Sequence, residues 1–176
     1  MLPSPRPLAL AASALLLALP ACGAPTAPSA SSPTAGLAPL GIGGDYRSYR
    51  KVTTEPFLSD AHGGLWVDVY VNELGADAYV KGADVPVGTI VVKEGWLAED
   101  GRPSTKPGPV FVMRLEPPGT TPPERAGWYY ALWGPTPGGP VYWQGDDPHL
   151  ADCWNKCHNT YRQGLGGLTP SSLVPR

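Results

Sequence analysis

The stretch Leu65-Trp66-Val67-Asp68-Val69-Tyr70-Val71 decides the fold class. It consists almost entirely of β-branched and aromatic residues, which predicts a β-strand. Asn72 follows as a candidate helix N-cap, and a short helix is predicted over residues 73–81 with Gly82 at its end. This part of the chain is therefore predicted to form a strand followed by one short helix.

Further strand-length segments follow, each bounded by turn residues. They lie at residues 88–96, 109–116, 127–133 and 140–143. Because a parallel crossover needs a longer connection than these turns supply, we expect antiparallel pairing. Asp147-Pro148 then predicts the start of a C-terminal helix over residues 149–163. The predicted fold is mainly β (α+β), an antiparallel sheet of about five strands with a short helix and a C-terminal helix.

Composition and charge limit the classes of function. The 176 residues include 22 glycines and 23 prolines, but also six tryptophans, eight tyrosines and two phenylalanines. That aromatic content predicts a packed core, and the length suits a single domain. The net charge is −2 and no run of Lys or Arg occurs. The electrostatic footprint of a nucleic-acid-binding protein is therefore missing.

The N-terminal residues predict an exported lipoprotein. Arg6 precedes an apolar run at residues 8–19 and small residues follow it, which is the order of a secretory signal. The run is shorter than the roughly 20 residues of a membrane-spanning helix. Leu19-Pro20-Ala21-Cys22 resembles a bacterial lipobox. We therefore expect residues 1–21 to be removed as a signal peptide and Cys22 to carry the lipid.

The rest of the chain is expected to divide into three parts. Residues 22–43 are rich in Ala, Pro and Ser and are predicted to form a tether. The folded domain is predicted at residues 44–163, with a flexible tail at 164–176. Gly23 and Ala24 carry no acidic retention signal, so the anchor is expected in the outer membrane with the domain facing the periplasm.

The segment Cys153-Trp154-Asn155-Lys156-Cys157-His158 is the best candidate for chemistry. Two thiols followed directly by a histidine are typical of c-type haem attachment, in which the thiols bind vinyl groups and the histidine ligates iron. Here three residues separate the cysteines, whereas two are usual. Residues i and i+4 share a helix face, so both thiols are still predicted to point to one side.

Other interpretations of this segment stay open on the residues alone. A disulfide between Cys153 and Cys157 is possible in an exported protein, although an i, i+4 pair within one helix fits disulfide geometry poorly. His149, Cys153 and Cys157 recur every fourth residue, as zinc ligands sometimes do. Because the outer two would lie about 12 Å apart, zinc would need ligands from elsewhere. Two reduced thiols are the third alternative.

Lys93 is the second residue of interest. Strand alternation places it on one face with Thr89 and Val91, and places Glu94 on the other face with Val92. Neither face is clearly the one that meets solvent. Lys93 therefore either extends to water near the strand end or points into the protein.

Together these segments resemble the cytochrome P-460 family, small exported c-type haem proteins of mostly antiparallel sheet that commonly form homodimers. The resemblance covers roughly residues 65–158. Its landmarks, in order, are Val69-Tyr70-Val71, Gly88-Thr89-Ile90-Val91-Val92-Lys93-Glu94, Gly127-Trp128-Tyr129-Tyr130 and the cysteine motif.

The resemblance implies a haem c cofactor and roles for particular residues. Cys153 and Cys157 would form the haem thioethers, and His158 would be the axial ligand of the iron. Lys93 would be the family's lysine that bonds covalently to a meso carbon of the porphyrin and shifts the Soret band to the red. Glu116 is the first candidate for a distal base, ahead of Asp68 and His62.

Four functions remain as hypotheses. The first is a haem oxidoreductase that oxidises hydroxylamine, or a related small nitrogen species, at an open iron position and passes electrons to an acceptor cytochrome. The second is a protein that binds nitric oxide without turnover. The third is an electron-transfer cytochrome with Met113, His62 or His149 as the sixth ligand. The fourth is a haemless lipoprotein of the same fold.

Overall fold

The computed structural model describes residues 46–135 and 140–158 of the chain. Within these ranges, seven strands form one antiparallel sheet. Across the sheet the order is β1-β3-β4-β5-β6-β7, and β2 also pairs with β3. The predicted mainly β, antiparallel fold is confirmed. The strands are β1 Arg50–Lys51, β2 Phe57–Ser59, β3 Leu65–Val71, β4 Ile90–Glu99, β5 Arg102–Leu115, β6 Trp128–Trp133 and β7 Val141–Gln144.

The predicted number of about five strands is corrected to seven. The two additional strands, β1 and β2, contain two and three residues and pair with β3. Segments this short show no alternation of apolar and polar residues that a sequence pattern can detect. Strand β5 also begins earlier than predicted, because its first residues pair with the end of β4, as Pro103 does with Ala98.

The short helix α1, Glu73–Lys81, has the predicted bounds. It ends at Gly82, whose φ of 64° is the left-handed conformation that glycine adopts without a Cβ penalty. Asn72 does not cap the helix with its side chain. Its amide instead donates to the Gly88 carbonyl oxygen and accepts from the Ile90 backbone N–H, at 3.0 Å each. Asn72 therefore joins the start of α1 to the start of β4.

Both faces of the sheet are buried. One face, which we call the cysteine face, includes the row Val69, Lys93, Phe111 and Leu132 across β3 to β6. Helix α1 and the C-terminal turns pack on this face, and Cys153 contacts its core. The opposite face is covered by the N-terminal residues around Tyr46. Because both faces carry buried apolar residues, the alternation of residues along β4 could not predict whether Lys93 points to water or into the protein.

Two carboxylates are buried next to each other on the opposite face. Glu94 and Asp68 are direct partners across β3 and β4 and are 2% and 4% exposed. Tyr46 and Arg47 donate hydrogen bonds to the Glu94 carboxylate. Lys51 Nζ lies 2.8 Å from Asp68 Oδ1. Each buried charge thus has a cation and a hydrogen-bond donor, which offsets the cost of removing it from water.

The C-terminal part begins as predicted and then changes its helix type. Asp147 accepts a hydrogen bond from the His149 backbone N–H at the start of the turn Pro148–Leu150. The predicted helix then continues as a π-helical turn, Cys153–Cys157. Its expected extension beyond residue 158 lies outside the described residues, as do the signal peptide, Cys22, the tether and the tail. In the described part of the chain, no helix has the length and apolar character of a membrane span.

Candidate functional site

The π-helical turn accommodates the unusual cysteine spacing. A π-helix closes its hydrogen bonds between residues i and i+5, one residue more than an α-helix. The backbone N–H of His158 bonds to the Cys153 carbonyl oxygen in this way. In a motif with two residues between the cysteines, the first cysteine and the histidine are four residues apart, the α-helical interval. The π turn therefore absorbs the extra residue and keeps Cys153 and His158 one turn apart.

Aromatic rings hold this turn on the cysteine face. Tyr130 of β6 lies in the core, with its ring centroid 5.7 Å from Trp154 and 5.5 Å from His158. The guanidinium of Arg125 stacks over Trp154, 4.2 Å from the ring centroid, and also pairs with Asp146. The turn is therefore packed against the sheet and a buried arginine, which fixes the direction of its side chains.

Lys93 points into the protein. Its side chain lies on the cysteine face and only 6% of the residue is exposed. Burial lowers the pKa of Lys93 to about 8, and the charges of Cys153 and Cys157 oppose part of this shift. The amine therefore lies close enough to both cysteines for their charges to act on its pKa. Of the two orientations that the sequence left open, the structure shows the inward one.

His62 also reaches this site. Its ring packs edge-on against Phe111, with centroids 4.7 Å apart, and Phe111 is the direct β5 partner of Lys93. Burial lowers the pKa of His62 well below its ordinary value, and Lys93 and His158 lower it further. His62 was only a secondary candidate for the distal base in the sequence, because it lies in a short turn, Asp60–His62, that follows no periodic pattern.

Glu116 and His149 are directed elsewhere. Glu116 pairs with Arg114, whose guanidinium lies over the ring of Tyr129 on the opposite face. Strand alternation at the end of β5 separates this carboxylate from Lys93. His149 stacks on Trp143 with ring centroids 4.6 Å apart, and its side chain is 62% exposed. The geometry therefore favours His62 over Glu116 as the polar residue beside Lys93.

The described residues bear on the disulfide and zinc interpretations of the two cysteines. The structure holds Cys153 and Cys157 as thiols. In residues 46–135 and 140–158, no three His, Cys, Asp or Glu side chains come together as a site for a metal ion. Lys93 nevertheless interacts electrostatically with Cys153 and Cys157, and His62 interacts with Lys93 and His158. This set supplies two thiols, two imidazoles and one amine of lowered pKa.

Comparison with known protein families gives one match. The family model described as Cytochrome P460 matches residues 44–164 of the chain. The chain belongs to the cytochrome P460 family. Membership confirms the resemblance found in the sequence and implies a c-type haem cofactor. No curated protein matches the chain.

The residues at the site fit the cofactor of the cytochrome P460 family. A c-type haem requires two thiols on one side of a helical turn and a histidine close by, and the π turn supplies both. The porphyrin also requires an apolar wall, which Phe111, Tyr130 and Trp154 provide on the cysteine face. The donor chemistry and the packing therefore agree with the family assignment.

The burial of Lys93 predicts how the stability of the haem-free protein depends on pH. The folded chain releases the Lys93 proton near pH 8, whereas the unfolded chain holds it up to about pH 10.5. Between these values the unfolded state binds more protons, so this residue makes the free energy of unfolding rise with pH. We expect the slope to exceed that of Lys93→Met by up to about 1.4 kcal/mol per pH unit. Urea titrations from pH 7.5 to 10.5 measure it.

Lys106→Met is the matched control for this experiment. The Lys106 side chain is 67% exposed, so its removal should leave the pH slope unchanged. Equal slopes for the wild type and Lys93→Met would show that the Lys93 amine reaches water in the haem-free protein.

The π turn predicts that removal of one residue is tolerated. Deleting Asn155, an exposed residue between the cysteines, returns the spacing to the α-helical interval. We expect the deletion variant to attach haem to within about twofold of the wild-type yield, because Cys153 and His158 are one turn apart in both helix types. Haem staining of denatured protein measures the yield. A folded variant without haem would contradict this account of the turn.

Proposed function

We propose that this protein is a haem oxidoreductase that oxidises hydroxylamine, or a closely related small nitrogen compound, at the cysteine face. The observation that carries the proposal is the buried amine of Lys93 beside Cys153 and Cys157. An ordinary c-type haem site requires two cysteines and a histidine, but no buried lysine. The lysine therefore needs a function of its own, and the family's covalent bond between lysine and porphyrin is that function.

The proposed roles follow from the donors at the site. Cys153 and Cys157 would hold the cofactor through thioether bonds, and His158 would be the histidine that ligates its iron. When bound, the haem supplies an iron that accepts a nitrogen lone pair and a route for electrons. Every two electrons removed from hydroxylamine release two protons. The electrons leave to a one-electron acceptor protein, and the protons require a nearby acceptor.

Formation of a bond between the Lys93 amine and the porphyrin would be an oxidation. It would replace one N–H bond and one meso C–H bond with a C–N bond, which removes two protons and two electrons. Hydrogen peroxide is an oxidant that would balance this step, because it would take up both electrons and both protons and form two molecules of water. An amine with a pKa of about 8 is partly neutral at neutral pH, and the neutral amine is the form that makes such a bond.

The ferrous absorption spectrum and hydroxylamine turnover of Lys93→Ala test this proposal. We expect the wild type to show a red-shifted Soret band and to reduce a one-electron acceptor in the presence of hydroxylamine. Lys93→Ala should show an ordinary c-type spectrum, because the conjugation of its porphyrin is intact. Its hydroxylamine turnover should be lower than that of the wild type by at least about tenfold. Lys106→Ala, a change at an exposed lysine, is the matched control and should behave as the wild type.

Identical ordinary spectra for the wild type and Lys93→Ala, with no turnover in either, would contradict the proposal. In that case the protein is a haem protein of the same family that binds small gases or transfers electrons.

A further inference from the structure

His62 is held over the cysteine face by a short turn of fixed geometry. The turn Asp60–His62 ends at Gly63 and Gly64, whose φ angles of 76° and 73° are both left-handed. The backbone N–H of Gly63 donates a hydrogen bond to the Asp60 carbonyl oxygen at 3.0 Å, and that of Gly64 donates to the Ser59 carbonyl oxygen at 3.1 Å. Because both residues adopt a conformation that residues other than glycine rarely take, the two glycines determine where the turn ends.

One ring nitrogen of His62 has a defined partner. Nδ1 lies 2.7 Å from the hydroxyl oxygen of Ser59, a buried residue at the end of β2. A hydrogen bond at one nitrogen orients the imidazole, and the serine hydroxyl can either accept a proton from Nδ1 or donate one to it. When Nδ1 donates to Ser59, Nε2 keeps its lone pair. Within the described residues, Nε2 has no hydrogen-bonding partner.

The surroundings keep this imidazole neutral and close to the site. Burial lowers the pKa of His62, and the charges of Lys93 and His158 lower it further. The ring contact with Phe111, next to Lys93 across the sheet, places it there independently of any charge effect. In the tautomer whose Nδ1–H donates to Ser59, the neutral imidazole is a hydrogen-bond acceptor at Nε2.

We propose that His62 is the specificity-determining residue of the site, that its Nδ1 carries the proton and donates it to Ser59, and that Nε2 accepts a hydrogen bond from an N–H or O–H group of the bound nitrogen compound. Hydroxylamine carries both kinds of donor, whereas nitric oxide carries neither. The residue therefore favours donor-bearing ligands over nitric oxide. This inference rests on the proposed function, since it requires that small nitrogen compounds bind beside Lys93.

The test compares the affinities for two ligands, independently of turnover. Hydroxylamine and nitric oxide are titrated into the ferric, haem-loaded protein without oxygen or an electron acceptor, and binding is followed by absorption. For His62→Leu we expect the Kd of hydroxylamine to rise roughly three- to tenfold, the range that one net hydrogen bond supplies. The Kd of nitric oxide should change by less than about twofold, because that ligand donates no hydrogen bond.

Further variants separate this role from a purely structural one. Ser59→Ala removes the partner that orients the ring and should raise the hydroxylamine Kd by a smaller factor. His62→Gln retains an acceptor oxygen and should recover part of the affinity that His62→Leu loses. His149→Leu changes an exposed histidine that stacks on Trp143, and should leave both affinities unchanged.

Three results would overturn the inference. The first is an equal change in the affinities for both ligands in His62→Leu, which indicates an altered pocket shape. The second is no change in either. The third is a low-spin ferric spectrum of the wild type that becomes high-spin in His62→Leu, which identifies His62 as an iron ligand. Loss of turnover with intact discrimination would contradict the proposed function alone.

Discussion

A lysine amine buried on a sheet face costs free energy, because its charged form loses water and gains no carboxylate partner in return. Lys93 is in this position, and the rest of the site is arranged around it. The strand that carries Lys93 also carries Glu94 on the opposite face, where Tyr46 and Arg47 bind the carboxylate. Both faces must therefore be covered, one by the N-terminal residues and the other by the cysteine motif. Such a cost persists when a buried group has a function, and perturbed pKa values are typical of functional sites.

The π-helical form of the cysteine motif accommodates a second constraint, the spacing of its two cysteines and its histidine. Cysteines separated by three residues, with a histidine directly after them, do not match the α-helical interval between the first thiol and the imidazole. The π turn keeps the first thiol and the imidazole one turn apart through the hydrogen bond from His158 to Cys153, and Arg125 stacks on Trp154 of this turn. The family assignment of residues 44–164 and this local geometry therefore support the same cofactor by independent routes.

Much of the fold was predictable because its signals are local. Strand β3 is a continuous run of β-branched and aromatic residues, and α1 ends where Gly82 adopts a left-handed conformation, so both have the expected bounds. The remaining features depend on tertiary contacts. Strands β1 and β2 exist only through pairing with β3, and the inward direction of Lys93 follows from burial of both faces. His62 lies in a short turn that has no periodic sequence pattern, so its position could not be predicted. The helix type of the cysteine motif could not be predicted either, because a sequence pattern does not distinguish an α turn from a π turn.

Covalent attachment of a haem at Cys153 and Cys157 underlies every role proposed for this site, and the intact mass of denatured protein measures that attachment. The protein is produced together with the haem-attachment machinery, denatured, and measured beside the triple variant Cys153→Ser, Cys157→Ser and Lys93→Ala. The account predicts that the wild type keeps the mass of one haem and that the triple variant keeps none. A wild-type mass equal to that of the bare polypeptide would contradict it and would leave only the fold in common with the family.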